Sequence, residues 1–395
     1  MNHSDLSVSC VSAYPERVVD DKSLTVSEPI AVDQDEPAWL SRGKIPSLHG
    51  LRALSILLVL IAHLAQHGIL LPRTWHLTEL GRLGVDMFFV ISGFLITVLL
   101  LREHKKHQTI SLKQFYLRRA LRILPAYLCF LLGIAVMNSL GAVALSGRDW
   151  FGVLTYTVSF VPKPIWDIGH IWSLSVEEHF YLLWPIVMLC CPRRGWLVPL
   201  ATIVTTPLMR WLIQEHVPAL DASYCTLTRM DTIAVGCGLA YLAYWQPFRR
   251  ILRLSARSAY LFSAALVLLV GLSQLTALRV PMYQLALHPL LVASAYATTI
   301  WLWTQHCQSH LGRLLNSKPA VWIGLLSYSL YLWQQPFLNP HGNAWFAQSP
   351  VNLVCIVVLA LASYLLVERP LLEWKDHMTR QRSHRDSITA MAPST

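Results

Sequence analysis

The chain has 395 residues, 54% of them hydrophobic and only 14% charged. A soluble domain carries about 25% charged residues, and the mean hydropathy here is +0.44, which excludes a soluble fold and points to an all-α, polytopic integral membrane protein. The net charge of +10 reads as Lys and Arg gathered in cytoplasmic loops rather than as a nucleic-acid surface.

Residues 1–44 are polar and mixed in charge, with no apolar h-region of a signal peptide. They are expected to form a disordered cytoplasmic arm. About ten apolar spans follow, near 51–71, 84–101, 123–145, 172–191, 196–213, 229–246, 259–277, 283–304, 320–338 and 351–373. The fifth span is interrupted by Pro199 and Pro207, and the seventh and eighth are separated by a short turn at 278–281. With the N-terminus inside, the inner segments hold 24 Lys and Arg and the outer ones seven. That asymmetry predicts cytoplasmic termini. The membrane domain then covers 45–374, and 375–395 is a basic cytoplasmic tail.

The first span begins Leu48-His49-Gly50-Leu51-Arg52 and carries His63 eleven residues after Arg52. Eleven residues make about three helical turns, so both side chains leave one face, about 16 Å apart along the axis. This places His63 near mid-membrane, where ionisable groups are costly and line cavities. His63 alone is equally a packing histidine or a catalytic one. The second span opens Gly84-Val85-Asp86, with Asp86 near the outer surface, where it is also suited to cap a helix. Before the third span, Arg118, Arg119 and Arg122 share a helical face at i, i+3 and i, i+4. Guanidiniums there suit phosphate, or anchor the chain at lipid headgroups; the pattern favours neither.

The fourth span carries Glu177, Glu178 and His179. Adjacent carboxylates at a membrane boundary need partners, either a histidine acting as general base or structural pairs with Arg82 or Arg229. The eight cysteines are scattered, without CxxC spacing, and Cys190-Cys191 is the one adjacent pair. His63 and His67 have metal-ligand spacing but no third ligand at a useful distance, so no metal is expected. Neither a GxSxG elbow nor a phosphate-binding Gly loop occurs.

In combination these motifs resemble the acyltransferase 3 family of integral membrane O-acyltransferases, over about Ile45 to Trp374. The features are Arg52-x10-His63, the GVDMFFVISGFLI run at 84–96, Phe115-xx-Arg118-Arg119-xx-Arg122-xx-Pro125, and HIWSLSVEEHFYLLWP at 170–185 with His179 where glutamine is common. The chain continues with Thr228-Arg229-Met230-Asp231 followed by Gly236, SYSLYLWQQP at 327–336, and Glu368-Arg369-Pro370. One departure is Gln334, where the family usually has histidine. Glutamine still donates and accepts hydrogen bonds but does not titrate.

The resemblance implies transfer of an acyl group, usually acetyl, from cytoplasmic acyl-CoA to a hydroxyl of an extracytoplasmic or lipid-linked glycan, such as lipopolysaccharide or exopolysaccharide, at the inner membrane. Acyl-CoA is then the donor substrate and no cofactor is permanently bound. It further implies that Arg118, Arg119 and Arg122 hold CoA phosphates and Arg52 sits at the donor's mouth. His63 takes the acceptor proton or carries the acyl group, supported by Glu177 or Glu178. Arg229 and Asp231 face the sugar, and Asp86, Trp172, Ser173, Tyr331 and Gln334 complete the substrate-binding set. About twenty polar residues follow the last span, so transfer is expected to finish in the membrane domain or to be handed to another protein. On the physics of intramembrane His, Arg and Glu alone, a proton-coupled transporter or glycan translocase fits as well. So does an acyltransferase acting on a small lipophilic acceptor such as a macrolide.

Overall fold

The structure is a computed structural model and describes residues 37–41, 43–68, 77–192, 194–340 and 344–373. Among the described residues every regular element is helical. The long helices are α1 (Leu48–His67), α2 (Thr78–His107), α3 (Leu112–Ser139), α4 (Ile171–Cys190), α5 (Leu197–His216), α6 (Thr226–Tyr244), α7 (Ala256–Ala277), α8 (His288–Gln305), α9 (Lys318–Phe337) and α10 (Val351–Ala362). Beyond α10 a wide π-helical turn, Ser363–Glu368, carries the chain on. Among the described residues six segments are long and apolar enough to cross a membrane: α1, α2, α3, α5, α7 and the stretch Val351–Glu373. The other four predicted spans also lie on helices, and three of these, α4, α6 and α9, carry Glu177, Glu178, Arg229, Asp231, Gln334 and Gln335 inward.

α2 is the centre of the bundle. It packs along α1 on one side and α6 on the other, while α9 covers α1, α5 covers α6 and α10 covers α9. In the α2 span 72% of residues are buried, against 11% in α7, which identifies α7 as a peripheral helix. Its exposed Leu261, Val267, Leu268 and Leu275 suit hydrocarbon rather than water. The tight α2–α6 crossing has a local cause. A Cβ on Gly93 would lie 2.1 Å from the Ile233 carbonyl oxygen, and one on Gly236 would lie 2.2 Å from that of Val90. Only glycine lets the two backbones approach so closely.

Several sequence expectations are corrected by the structure. The boundary of the polar arm at 44 is too late: Trp39 and Leu40 are buried, and Trp39 packs edge-on against Phe94 and Trp301. Arg102 donates to the Trp39 carbonyl, and the Tyr244 hydroxyl donates to that of Leu40 at 2.6 Å. The remainder of the arm, 1–36, and the tail at 375–395 lie outside the described residues. Pro199 and Pro207 do not break α5, which runs unbroken; Pro199 stands in its first turn, where no intrahelical donor is lost. The eighth span is divided instead, into a short helix Pro281–Ala286 and α8.

The end of the first span also differs from the expected 71. α1 stops at His67, where Gly68 adopts φ 84° and its N–H returns to Ala65 and Leu64. Such a left-handed glycine is a standard helix stop. His63 therefore stands four residues, about 6 Å, from that end of α1. Arg52 stands four residues from the other end.

Candidate active site

An internal cavity opens where α1, α2, α3, α4 and α9 meet, enclosing about 810 Å³ including its mouth. Arg52 from α1 and Arg119 and Arg122 from α3 line it, with Glu177, Glu178 and Tyr181 from α4. The helical repeat of α3 brings Arg119 and Arg122 onto one face, and the Arg119 guanidinium lies 5.7 Å from the Tyr181 ring centre and 5.8 Å from that of Phe115. Arg52 lies 6.0 Å from the Phe88 ring centre. Aromatic faces hold guanidiniums without neutralising them.

Charge is left uncompensated at short range in this cavity. Among the described residues, no carboxylate lies within ion-pair distance of Arg52, Arg119 or Arg122, and the Nε atoms of Arg52 and Arg119 are buried without a partner. A buried donor without a partner is uncommon in folded proteins and points to a missing acceptor. Opposite the arginines, Glu177 accepts from Tyr181 at 2.8 Å and from Ser92 at 3.2 Å. Tyr181 and Ser92 were not singled out by the sequence, although Tyr181 is one helical turn from Glu177. Glu368, placed by the π-helical turn, is buried and accepts from Ser329, within electrostatic range of Arg122 and Arg52. The Ser173 and Tyr331 hydroxyls join at 2.6 Å across the inner wall of the cavity, one donating to the other, and the His170 carbonyl lies within hydrogen-bond reach of both and accepts from the hydroxyl whose proton is left.

Arg118 does not take part. It turns from the cavity to Glu103 at 2.9 Å, with its side chain 36% exposed, so the expected triplet is reduced to Arg119 and Arg122, joined by Arg52. The cause is Glu103 on the last turns of α2, whose carboxylate holds the Arg118 guanidinium away from the cavity.

His63 is not part of this lining. Its Nδ1 meets Gln334 Oε1 at 2.5 Å, and the Trp166 ring packs edge-on against the imidazole at 5.7 Å. Neither glutamate bonds to it, so the expected His–Glu pair is not formed. The expected Glu pairs with Arg82 or Arg229 are not formed either: Arg82 reaches Glu79 and Arg229 reaches Asp86. Tyr331 and Gln334 are one turn apart on α9, which sets the cavity wall and the His63 partner on neighbouring positions of one face. His67 bonds to the Ala347 carbonyl at 2.8 Å instead of sharing a ligand with His63. Among the described residues no group of His, Cys, Asp and Glu is arranged to hold a metal.

Asp86, Arg229 and Asp231, expected on the substrate side, belong to a third cluster of ion pairs. Asp86 is in the third turn of α2, not its first, and is ion-paired with Arg229. Asp231 pairs with Arg210 at 2.5 Å, and Arg210 also donates to the carbonyls of Thr228 and Leu285. All four side chains are buried, and their charges are committed to holding α2, α5 and α6 together. Trp172 joins this cluster, not the cavity: its ring lies 5.9 Å from Arg229 and 5.8 Å from the Phe89 ring. Arg210 is a binding partner that the motifs do not mark; an isolated arginine inside an apolar helix is its signal in the sequence.

Fold and cavity define a helical membrane protein with an internal, cation-lined site. The Acyl_transf_3 family, described as an acyltransferase domain, matches residues 45–369, and the chain belongs to that family. Peptidoglycan O-acetyltransferase OatA of Listeria monocytogenes is 29% identical over 84% of this chain and 56% of its own length. O-acetyltransferase OatA of Staphylococcus aureus is 30% identical over 83% and 57%, and putative peptidoglycan O-acetyltransferase YrhL of Bacillus subtilis is 28% identical over 83% and 55%. The chain thus spans little more than half the length of these relatives. No solved structure matches it.

Proposed function

We propose that this chain is a multi-pass inner-membrane O-acetyltransferase that moves an acetyl group from cytoplasmic acetyl-CoA to a hydroxyl of a cell-envelope glycan. The observation that carries the reading is the set of unpaired guanidiniums of Arg52, Arg119 and Arg122 on one cavity, in a chain of an acyltransferase family. A phosphorylated donor supplies the missing acceptors, since phosphate oxygens form charge-assisted hydrogen bonds with guanidinium groups. The relatives' acceptor, by their names, is peptidoglycan; for this chain the acceptor class is a glycan hydroxyl. Ten membrane-crossing helices with both termini cytoplasmic put the start of α3, with its arginines, on the acetyl-CoA side.

In this reading the donor's phosphates rest on Arg119 and Arg122, with Arg52 beside them, and its thioester end points along α1 past Ser173 and Tyr331 towards His63. His63 takes the proton of the acceptor hydroxyl; the oxygen adds to the thioester carbonyl carbon, the C–S bond breaks, and CoA leaves as the thiolate that is then protonated. Purified protein in liposomes, given acetyl-CoA inside and a glycan acceptor outside, tests this. Release of CoA matched by acetylated acceptor is the expected result. Acceptor movement without CoA release would overturn it in favour of a translocase.

A further inference from the structure

His63 needs something to hold its ring, and the two acidic residues that sequence reasoning offered do not reach it. We infer that Gln334 is the positioning residue of His63: its Oε1 accepts the Nδ1 proton and fixes the tautomer whose Nε2 is the base. This rests on the reading of His63 as the group that takes the acceptor proton.

The geometry is specific. Gln334 is fully buried and its Oε1 is 2.5 Å from His63 Nδ1. A glutamine can meet a ring nitrogen in two ways. Accepting from Nδ1–H leaves Nε2 a bare lone pair; donating to Nδ1 puts the proton on Nε2 and removes the base. Only the first serves proton abstraction. It also leaves the Gln334 amide nitrogen buried without a partner among the described residues, a donor free for a substrate oxygen.

The neighbouring Gln335 fixes the other side of the ring. Its amide donates to the Trp166 carbonyl, while Trp166 Nε1 donates to the Gln335 carbonyl at 3.1 Å. Trp166, locked in this way, is the ring that packs edge-on against His63. Two consecutive residues of α9 therefore hold the imidazole, one directly and one through an indole. The direct partner is neutral, so it orients the ring without adding a counter-charge, unlike the carboxylate of the usual histidine base.

The test uses the full chain in liposomes and compares Gln334→Met, which keeps length and packing but makes no hydrogen bond, with Gln334→Glu, which only accepts when ionised. Q334M is expected to lower kcat about 100-fold with the KM for acetyl-CoA unchanged, while Q334E keeps kcat within about tenfold of the parent. Acetyl-CoA binding by each variant shows that the donor cavity is still folded. Unchanged kcat in Q334M, a Q334M defect confined to KM or to acetyl-CoA binding, or a Q334E as impaired as Q334M would each overturn the inference. His63→Ala is run beside them. An inactive H63A with a fully active Q334M removes the positioning role and leaves the base in place; a fully active H63A removes the base itself.

Discussion

The two ends of α1 solve opposite problems. Around Arg52 the protein gathers guanidiniums and carboxylates and leaves the cations short of partners. Around His63 it supplies a neutral amide and an indole, with each contact made by a residue of fixed orientation. The first environment suits a ligand that brings its own negative charge. The second suits a group that must gain and lose a proton without a permanent counter-ion. A third region, where Arg229 meets the carboxylate of Asp86 and Arg210 that of Asp231, shows what intramembrane charge looks like when its work is to join helices. The contrast between paired and unpaired cations, more than the presence of charge, separates scaffold from site.

That contrast can be broken at several points. The largest effect is expected from His63→Ala: loss of transfer by about 10³-fold in kcat, measured as acetylated acceptor formed per protein. Asp231→Asn strands Arg210 in the interior and is expected to destabilise the bundle by about 3–5 kcal/mol, read as a lower thermal midpoint in detergent, while correctly folded protein retains the parent's KM for acetyl-CoA. Equal stability of D231N and parent would move this cluster from scaffold to site. Arg119→Ala and Arg122→Ala are each expected to raise the KM for acetyl-CoA by about 10-fold or more, since a charged hydrogen bond contributes about 1.5–3 kcal/mol, with smaller changes for donors lacking the nucleotide. Arg118→Ala is the smallest: its half-exposed pair with Glu103 contributes about 0–1 kcal/mol, so the KM stays within about threefold. An R118A defect equal to that of R122A would restore the arginine triplet and contradict the turn towards Glu103.

Much of this arrangement was legible from residue spacing. Arg52 and His63 share a face because eleven residues make three turns, and Arg119 and Arg122 do so at i, i+3. The acidic pair at 177–178 stood out as too costly for a lipid-facing helix. Local spacing could not say which arginine faces inward, because Arg118 and Arg119 are both consistent with the same face. The choice is made by Glu103, fifteen positions earlier on another helix. Nor could spacing find the partner of His63, which lies 271 positions away. Gln334 was visible only as a departure from the family's histidine. For Arg229 and Asp231 a side of the membrane was readable from the sequence, but their partners on α2 and α5 were not. The stop of α1 at Gly68 is a backbone event inside a sequence that stays apolar to Leu71, so hydropathy alone carried the span too far.

The central claim is that donor binding and proton transfer occupy opposite ends of α1 and are separable. The most direct measurement is the affinity of H63A and of the double variant R119A/R122A for acetyl-CoA, by calorimetry on purified protein without acceptor. The account predicts that H63A binds acetyl-CoA as the parent does, and that the double variant loses binding by about 100-fold. Weak binding by H63A, or parent-like binding by R119A/R122A, would contradict it.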